Sequence, residues 1–198
     1  MKPLFNNDYE KLEWDENFQA SLIRLSCVSD GNCYFHAICK AYFKPYIFGK
    51  VGDKTLSRQD FVRNLRKDLS KILPKYYDTL AKGELSKIGK EIKEYSLENM
   101  QNLLDSSQPL SNEYNEFISD QLDIDIYILD ANKRDVYMTG TDDNLIYKDR
   151  KSVVLLYLPG HYELIGVEDT PGNITTVFKP SDPIIIKIRN RMNELRKL

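Results

Sequence analysis

A chain of 198 residues with a formal charge of −2, 41% hydrophobic and 29% charged, reads as one soluble globular domain large enough to bury a core without staples. The charge balance argues against a whole-surface nucleic-acid binder. The longest purely apolar run, Val153 to Leu158, is six residues, far short of the roughly 20 that a spanning helix takes. The polar, partly acidic N-terminus has no apolar segment of a secretory leader.

Residues 1–20 are polar with scattered aromatics and read as an arm or a short helix. Leu22 to Val28 suits a short strand or an extended lead-in. Asp30-Gly31-Asn32 is turn chemistry, and a run from Cys33 to Phe43 follows with Phe35, Ile38, Cys39 and Tyr42 at helical spacing. Asp30 and Asn32 are both favoured helix-capping types, and Lys44-Pro45 is expected to end this helix. Ser57 with Asp60 resembles a capping pattern. The helix after it places Phe61, Leu65, Leu69 and Ile72 on one face, and Pro74 is expected to end or kink it. Gly83 to Gly89 reads as a break, Leu97 to Leu104 as a helix, Ser106 to Pro109 as a loop, and Tyr114 to Leu122 as a further helix.

The second half is strand-like. Asp123 to Asp130 alternates Ile124, Ile126 and Ile128 with polar residues, the pattern of a half-buried strand. Val136 to Thr139 suits a shorter one. Val153 to Leu158 reads as a buried central strand, broken by Pro159-Gly160, with His161 to Val167 returning as a hairpin partner. Pro171-Gly172 marks another turn. Ser181-Asp182-Pro183 is a good helix start, followed by Ile185, Ile188, Met192 and Leu195 at helical spacing, although Pro183 to Ile188 also suits a strand. Helices first and strands later indicate an α+β domain, a small central sheet flanked by helices. The expected divisions are an arm over 1–21, a main domain over 22–167 and an extension over 168–198 that packs on the domain and ends in a helix.

Three cysteines, Cys27, Cys33 and Cys39, with no leader point to free thiols in a reducing, cytoplasmic compartment. There is no paired-cysteine motif, and His36 and His161 lie far apart in sequence, so no metal site is expected. Cys33 opens a helix. First-turn N–H groups lack partners and favour negative charge, so a thiol there is expected to have its pKa lowered, and the same amides can bind the oxyanion of a tetrahedral intermediate. Gly31 lets backbone approach a substrate closely. From position alone Cys33 is either such a nucleophile or a small buried hydrophobe, and Cys27 and Cys39 favour the second. His161 begins a strand, and Glu163, two residues on, shares its face. That is the arrangement of a base and its orienting acid, or else of two polar residues on a solvated strand. His36 lies on the same helix as Cys33 and reads as a packing or surface residue.

These residues resemble a known family. Asp30-Gly31-Asn32-Cys33-Tyr34-Phe35-His36-Ala37-Ile38 is similar to the signature of the ovarian tumour (OTU) cysteine proteases, and Gly160-His161-Tyr162-Glu163 to their histidine strand. Asn112 to Leu129 resembles the central segment, and the likeness covers Leu22 to Val167. Two positions depart from the pattern: Glu163 stands where Asp or Asn is usual, and Tyr34 where leucine follows the cysteine. The resemblance implies a deubiquitinase. Cys33 attacks the isopeptide carbonyl at the terminal glycine of ubiquitin, His161 activates the thiol and protonates the leaving amine, and Glu163 orients His161. Amides of Cys33 and the loop Asp30, Gly31 and Asn32 hold the oxyanion. No cofactor is implied. Ubiquitin or polyubiquitin is the implied partner, with ubiquitin-like modifiers as further candidates, no membrane, and a monomeric enzyme. A stand-alone domain rich in Lys, Ile, Asn and Tyr is compatible with a viral origin and action in the host cytoplasm. Three alternatives remain: a non-catalytic ubiquitin-binding module on the same fold, a different acyl-transfer cysteine enzyme, and nucleic-acid binding through the basic end at Lys187, Arg189, Arg191, Arg196 and Lys197.

Overall fold

A computed structural model of the chain describes residues 9–14, 21–88, 93–110, 112–138 and 143–197. In chain order the elements are β1 (Tyr9–Lys11), β2 (Leu22–Leu25), α1 (Cys33–Tyr42), α2 (Lys44–Phe48), β3 (Lys50–Val51), β4 (Lys54–Thr55), α3 (Arg58–Lys82), α4 (Glu84–Ile88), α5 (Leu97–Leu104), α6 (Asn115–Leu122), β5 (Asp125–Asp130), β6 (Asp135–Tyr137), α7 (Asp143–Ile146), β7 (Ser152–Leu158), β8 (His161–Thr170), β9 (Asn173–Thr175) and α8 (Pro183–Leu195). The main sheet runs β1-β2-β8-β7-β5-β6, with β9 added to β8. Its pairs are antiparallel except β5 with β7. The fold is α+β, with helices on both faces of this sheet.

Strand alternation sorts the core into two layers. Ile23, Leu25, Ile126, Ile128, Val153, Leu155 and Leu164 face α1, α3, α5 and α6. Leu22, Tyr127, Leu129, Val154, Leu156 and Ile165 face α8, whose Ile184, Ile185, Ile188 and Met192 are all buried there. Each such aliphatic side chain contributes about 2 kcal/mol by leaving water. The helical reading of the C-terminal stripe therefore holds, and the strand alternative does not.

Several expectations are corrected. β5 is buried along its whole length rather than on one face, because α8 and the segment Tyr147 to Arg150 together cover the side that alternation assigned to solvent. Pro74 neither ends α3 nor stops it short of Lys82. The helical donor that Pro74 denies to the Ser70 carbonyl is replaced by Gln101 Nε2 at 3.0 Å, so packing of α5 repairs the gap. The inner face of α3 is Val62, Arg66, Leu69, Ser70, Leu73 and Leu80, while Ile72 is exposed. Lys44-Pro45 ends α1 but also starts α2, with proline in the first turn. The arm is a strand over Tyr9–Lys11, paired to β2; the rest of residues 1–8 and 15–20 lies outside the described residues. The boundary expected at Val167 falls inside β8, which runs to Thr170. The second short strand is Asp135–Tyr137, and Thr139 lies outside the described residues.

Among the described residues no helix is long and apolar enough to cross a membrane. No cluster of three or more His, Cys, Asp or Glu residues there is suited to a metal.

Candidate active site

Sheet register brings the cysteine and histidine segments together. In β8 the even-numbered residues turn their backbone groups toward β2, as Glu168 N–H shows by donating to Ser21 O at 3.0 Å. β2 stops at Leu25, opposite Leu164, so the Tyr162 N–H has no strand neighbour. The sulfur of Cys33 sits at that gap and faces this N–H. His161 is the residue before, at the turn where Gly160 takes a left-handed φ of 74° and Leu158 pairs with His161. Cys33 approaches the edge of β8 from one layer, and His161 and Glu163 belong to the other.

Cys33 is buried, 6% exposed. Burial pushes its thiol up from the ordinary value, and the N–H groups of Tyr162, Tyr34 and Cys33 itself only partly offset this, with the Asp30 carboxylate adding to the rise. The lowered pKa expected from a helix start is thus not what the site shows: desolvation outweighs the helix N-terminus.

The loop before Cys33 is pinned at each residue. Asp30 Oδ1 accepts from Asn32 N–H at 2.8 Å, and Asp30 Oδ2 lies 3.3 Å from His36 Nε2. His36 Nδ1 meets the Tyr46 hydroxyl at 2.6 Å. His36 is fully buried, so it is a packing residue and not a surface one. Burial lowers its pKa, which Asp30 opposes. The neutral tautomer with Nε2–H donating to Asp30 and Tyr46 O–H donating to Nδ1 satisfies both contacts. A Cβ on Gly31 would stand 1.9 Å from the Ser107 carbonyl oxygen. Glycine is needed at 31 for this backbone approach within the protein, in addition to any role toward substrate.

Asn32 caps α1 without a side-chain capping bond. Its Oδ1 instead accepts from Arg66 Nη1 at 2.7 Å. Arg66 is 1% exposed. It donates to Leu104 O at 3.0 Å and Leu103 O at 2.7 Å, the carbonyl end of α5, and lies over the Phe35 ring at 5.3 Å. Burial holds its pKa down to about 10. No motif marks Arg66 in the sequence; its signal is an arginine at helical spacing from Val62, Leu69 and Leu73.

The expected oxyanion donors are partly committed. The Asn32 N–H goes to the Asp30 carboxylate, and the Cys33 N–H to the Asp30 carbonyl at 3.2 Å. The Gly31 N–H has no hydrogen-bond partner among the described residues, and the Tyr34 N–H faces the sulfur.

At the third position, Glu163 is buried and both its oxygens are taken by Arg24 of β2, Nε to Oε2 at 2.7 Å and Nη2 to Oε1 at 2.9 Å. His161 Nε2 stands 3.9 Å from Oε1, too far for a hydrogen bond. No motif marks Arg24 either; its signal is a charge inside the otherwise apolar run Leu22-Ile23-Arg24-Leu25. The aromatic Tyr162 packs edge-on against Tyr34, with centroids 5.5 Å apart, and the Tyr34 hydroxyl donates to Asn115 Oδ1 at 2.7 Å. Tyrosine at 34 therefore joins α1 to α6 and to β8.

No family model and no curated protein matches the sequence. Solved structures do. An OTU domain in complex with ubiquitin superposes at a TM-score of 0.57 with 19% identity, over 88% of this chain and 84% of that one. The OTU domain protease of Farallon virus gives 0.45 at 15% identity over 76% and 86%, and the Hazara virus OTU bound to ubiquitin gives 0.47 at 16% over 76% and 84%. The fold of this chain is OTU-like.

Proposed function

We propose that this chain is a thiol-dependent deubiquitinase that cleaves isopeptide bonds at the C-terminal glycine of ubiquitin. The observation that carries the reading is the cysteine sulfur at the start of α1, set against the Tyr162 N–H one residue from His161, on a fold whose 0.57 neighbour is in complex with ubiquitin. His161 takes the Cys33 proton, because the buried thiol does not give it up unaided. The thiolate attacks the carbonyl carbon, and first-turn amides of α1 with the Gly31 N–H receive the developing oxyanion. His161 then protonates the leaving lysine amine, and a water that it activates releases the acyl group. Glu163 closes on His161 from 3.9 Å and stabilises the imidazolium.

A ubiquitin probe with a C-terminal electrophile, followed by a diubiquitin panel, tests this. The expected result is one adduct on Cys33 and cleavage that Cys33→Ala abolishes. Cys27→Ser and Cys39→Ser are expected to keep activity when folded. A non-catalytic ubiquitin-binding module would bind ubiquitin without adduct or cleavage, and that outcome overturns the reading.

A further inference from the structure

Arg24 and Glu163 form the one bidentate carboxylate pair that reaches the candidate site among the described residues. Arg24 stands opposite Ile165 on β2, so it shares the sheet face of Glu163 and His161. Glu163 has a 7% exposed side chain, and a carboxylate this buried must be paired to stay charged. Oxygen Oε1 is the shared atom: it accepts from Arg24 Nη2 at 2.9 Å and is the oxygen facing His161 Nε2 at 3.9 Å. A glutamate has one more rotor than an aspartate, and a two-point fork fixes both its reach and its plane. A carboxylate offers about four lone-pair sites, so the fork leaves one on Oε1 for the imidazole. Glu10 of β1 is the register partner of Arg24, and its charge adds a smaller electrostatic pull on the guanidinium.

We propose that Arg24 is a positioning residue for the hydrolysis proposed above, holding the Glu163 carboxylate on the sheet so that Oε1 stays within one small ring movement of His161. It touches no reacting atom and acts through Glu163. The proposal rests on the deubiquitinase reading only for its activity assay.

The test is a double-mutant cycle of Arg24→Gln and Glu163→Gln, with Arg24→Lys as the conservative variant, all checked for folding by circular dichroism and thermal melting. With a fluorogenic ubiquitin substrate, Arg24→Gln is expected to lower kcat about tenfold with KM changed less than about twofold. Arg24→Lys recovers part of the loss, since an ammonium neutralises Glu163 but cannot fork. In the Glu163→Gln background, Arg24→Gln changes kcat by less than about twofold. An equal loss in both backgrounds, an effect confined to KM, or no effect of Arg24→Gln overturns the proposal. The same cycle is read without ubiquitin, as the rate of Cys33 alkylation by iodoacetamide followed on the Cys33 peptide by mass spectrometry. There Arg24→Gln slows alkylation only while Glu163 is present. If no variant and no parent protein cleaves ubiquitin, the deubiquitinase reading fails while the alkylation cycle still decides the role of Arg24.

Discussion

Two arginines join elements in the interior of this protein, and they are partnered in opposite ways. Arg150 sits between carboxylates: Nε donates to Asp125 Oδ1 at 2.8 Å and Nη1 to Asp120 Oδ1 at 2.7 Å, with Ser119 O and Ile146 O completing the fork at 3.0 Å each. Burial works against its charge, yet the two aspartates outweigh burial and raise its pKa. Arg66 has no carboxylate on its fork. Its three bonds go to neutral oxygens, two of them the carbonyl end of α5, where the helix dipole is negative. Burial prevails there and holds the pKa down to about 10. One joint is closed by charge and lies between α6, β5 and the segment before β7. The other keeps a cation under the loop that carries Cys33. A stability role suffices for the first, whereas the second ties stability to the shape of the site.

Substitutions can break that contrast. Arg150→Met leaves Asp125, 1% exposed at its side chain, beside no guanidinium, and is expected to cost about 3–5 kcal/mol. Urea titration measures this, and hydrolysis per folded molecule should stay within about twofold of the parent. Arg66→Met strips the Leu103, Leu104 and Asn32 oxygens of a shared donor, at about 2–4 kcal/mol. Here kcat per folded molecule should also fall, by about tenfold or more, because the loop before Cys33 loses its tie to α5. Equal activity per folded molecule in the two variants would erase the distinction.

Asn32→Ala sharpens it, removing only the loop end of the Arg66 tie. About 1.5–3 kcal/mol is expected, with kcat again reduced, and a stability loss with unchanged kcat would confine Arg66 to a structural role. The carboxylate joint has a pH signature. Although burial raises the pKa of Asp120, its bonds from Lys148, Tyr76 and Arg150 together bring it below the ordinary value. A folded pKa below the unfolded one gives stability that is present above about pH 4 and lost as pH falls through the lower folded value. Urea midpoints should therefore drop as pH falls below about 4, and less steeply in Arg150→Met. Smallest is Gln101→Ala, which uncovers the Ser70 carbonyl at Pro74 and should cost about 1 kcal/mol without altering kcat.

Local patterns carried much of the fold. Helical spacing placed α1, α5, α6 and α8, because an apolar stripe at that period has one way to be buried. Continuous apolarity placed β7, and Pro159-Gly160 the hairpin into β8. The chemistry-bearing types were legible in the same way: a cysteine after Asp-Gly-Asn at a helix start, and a histidine at a strand start with an acid two residues on. Where a neighbour far along the chain intervenes, the sequence was silent or misleading. β5 read as half-buried because alternation cannot report that α8 and the segment Tyr147 to Arg150 return to cover its second face. Pro74 read as an end or a kink because nothing near it announces that Gln101 supplies the missing donor. The thiol of Cys33 read as acidified because a helix start is local, whereas the desolvation that outweighs it comes from the packing around the sulfur.

Turns and helix starts are written in the local sequence, since they depend on backbone preferences a few residues wide. The tertiary structure alone decided their electrostatics and their partners. Arg24 with Glu163, Arg66 with Asn32 and His36 with Tyr46 are pairings made by sheet register and helix packing, and a buried charge or amide takes its properties from whichever group the fold brings to within hydrogen-bond distance.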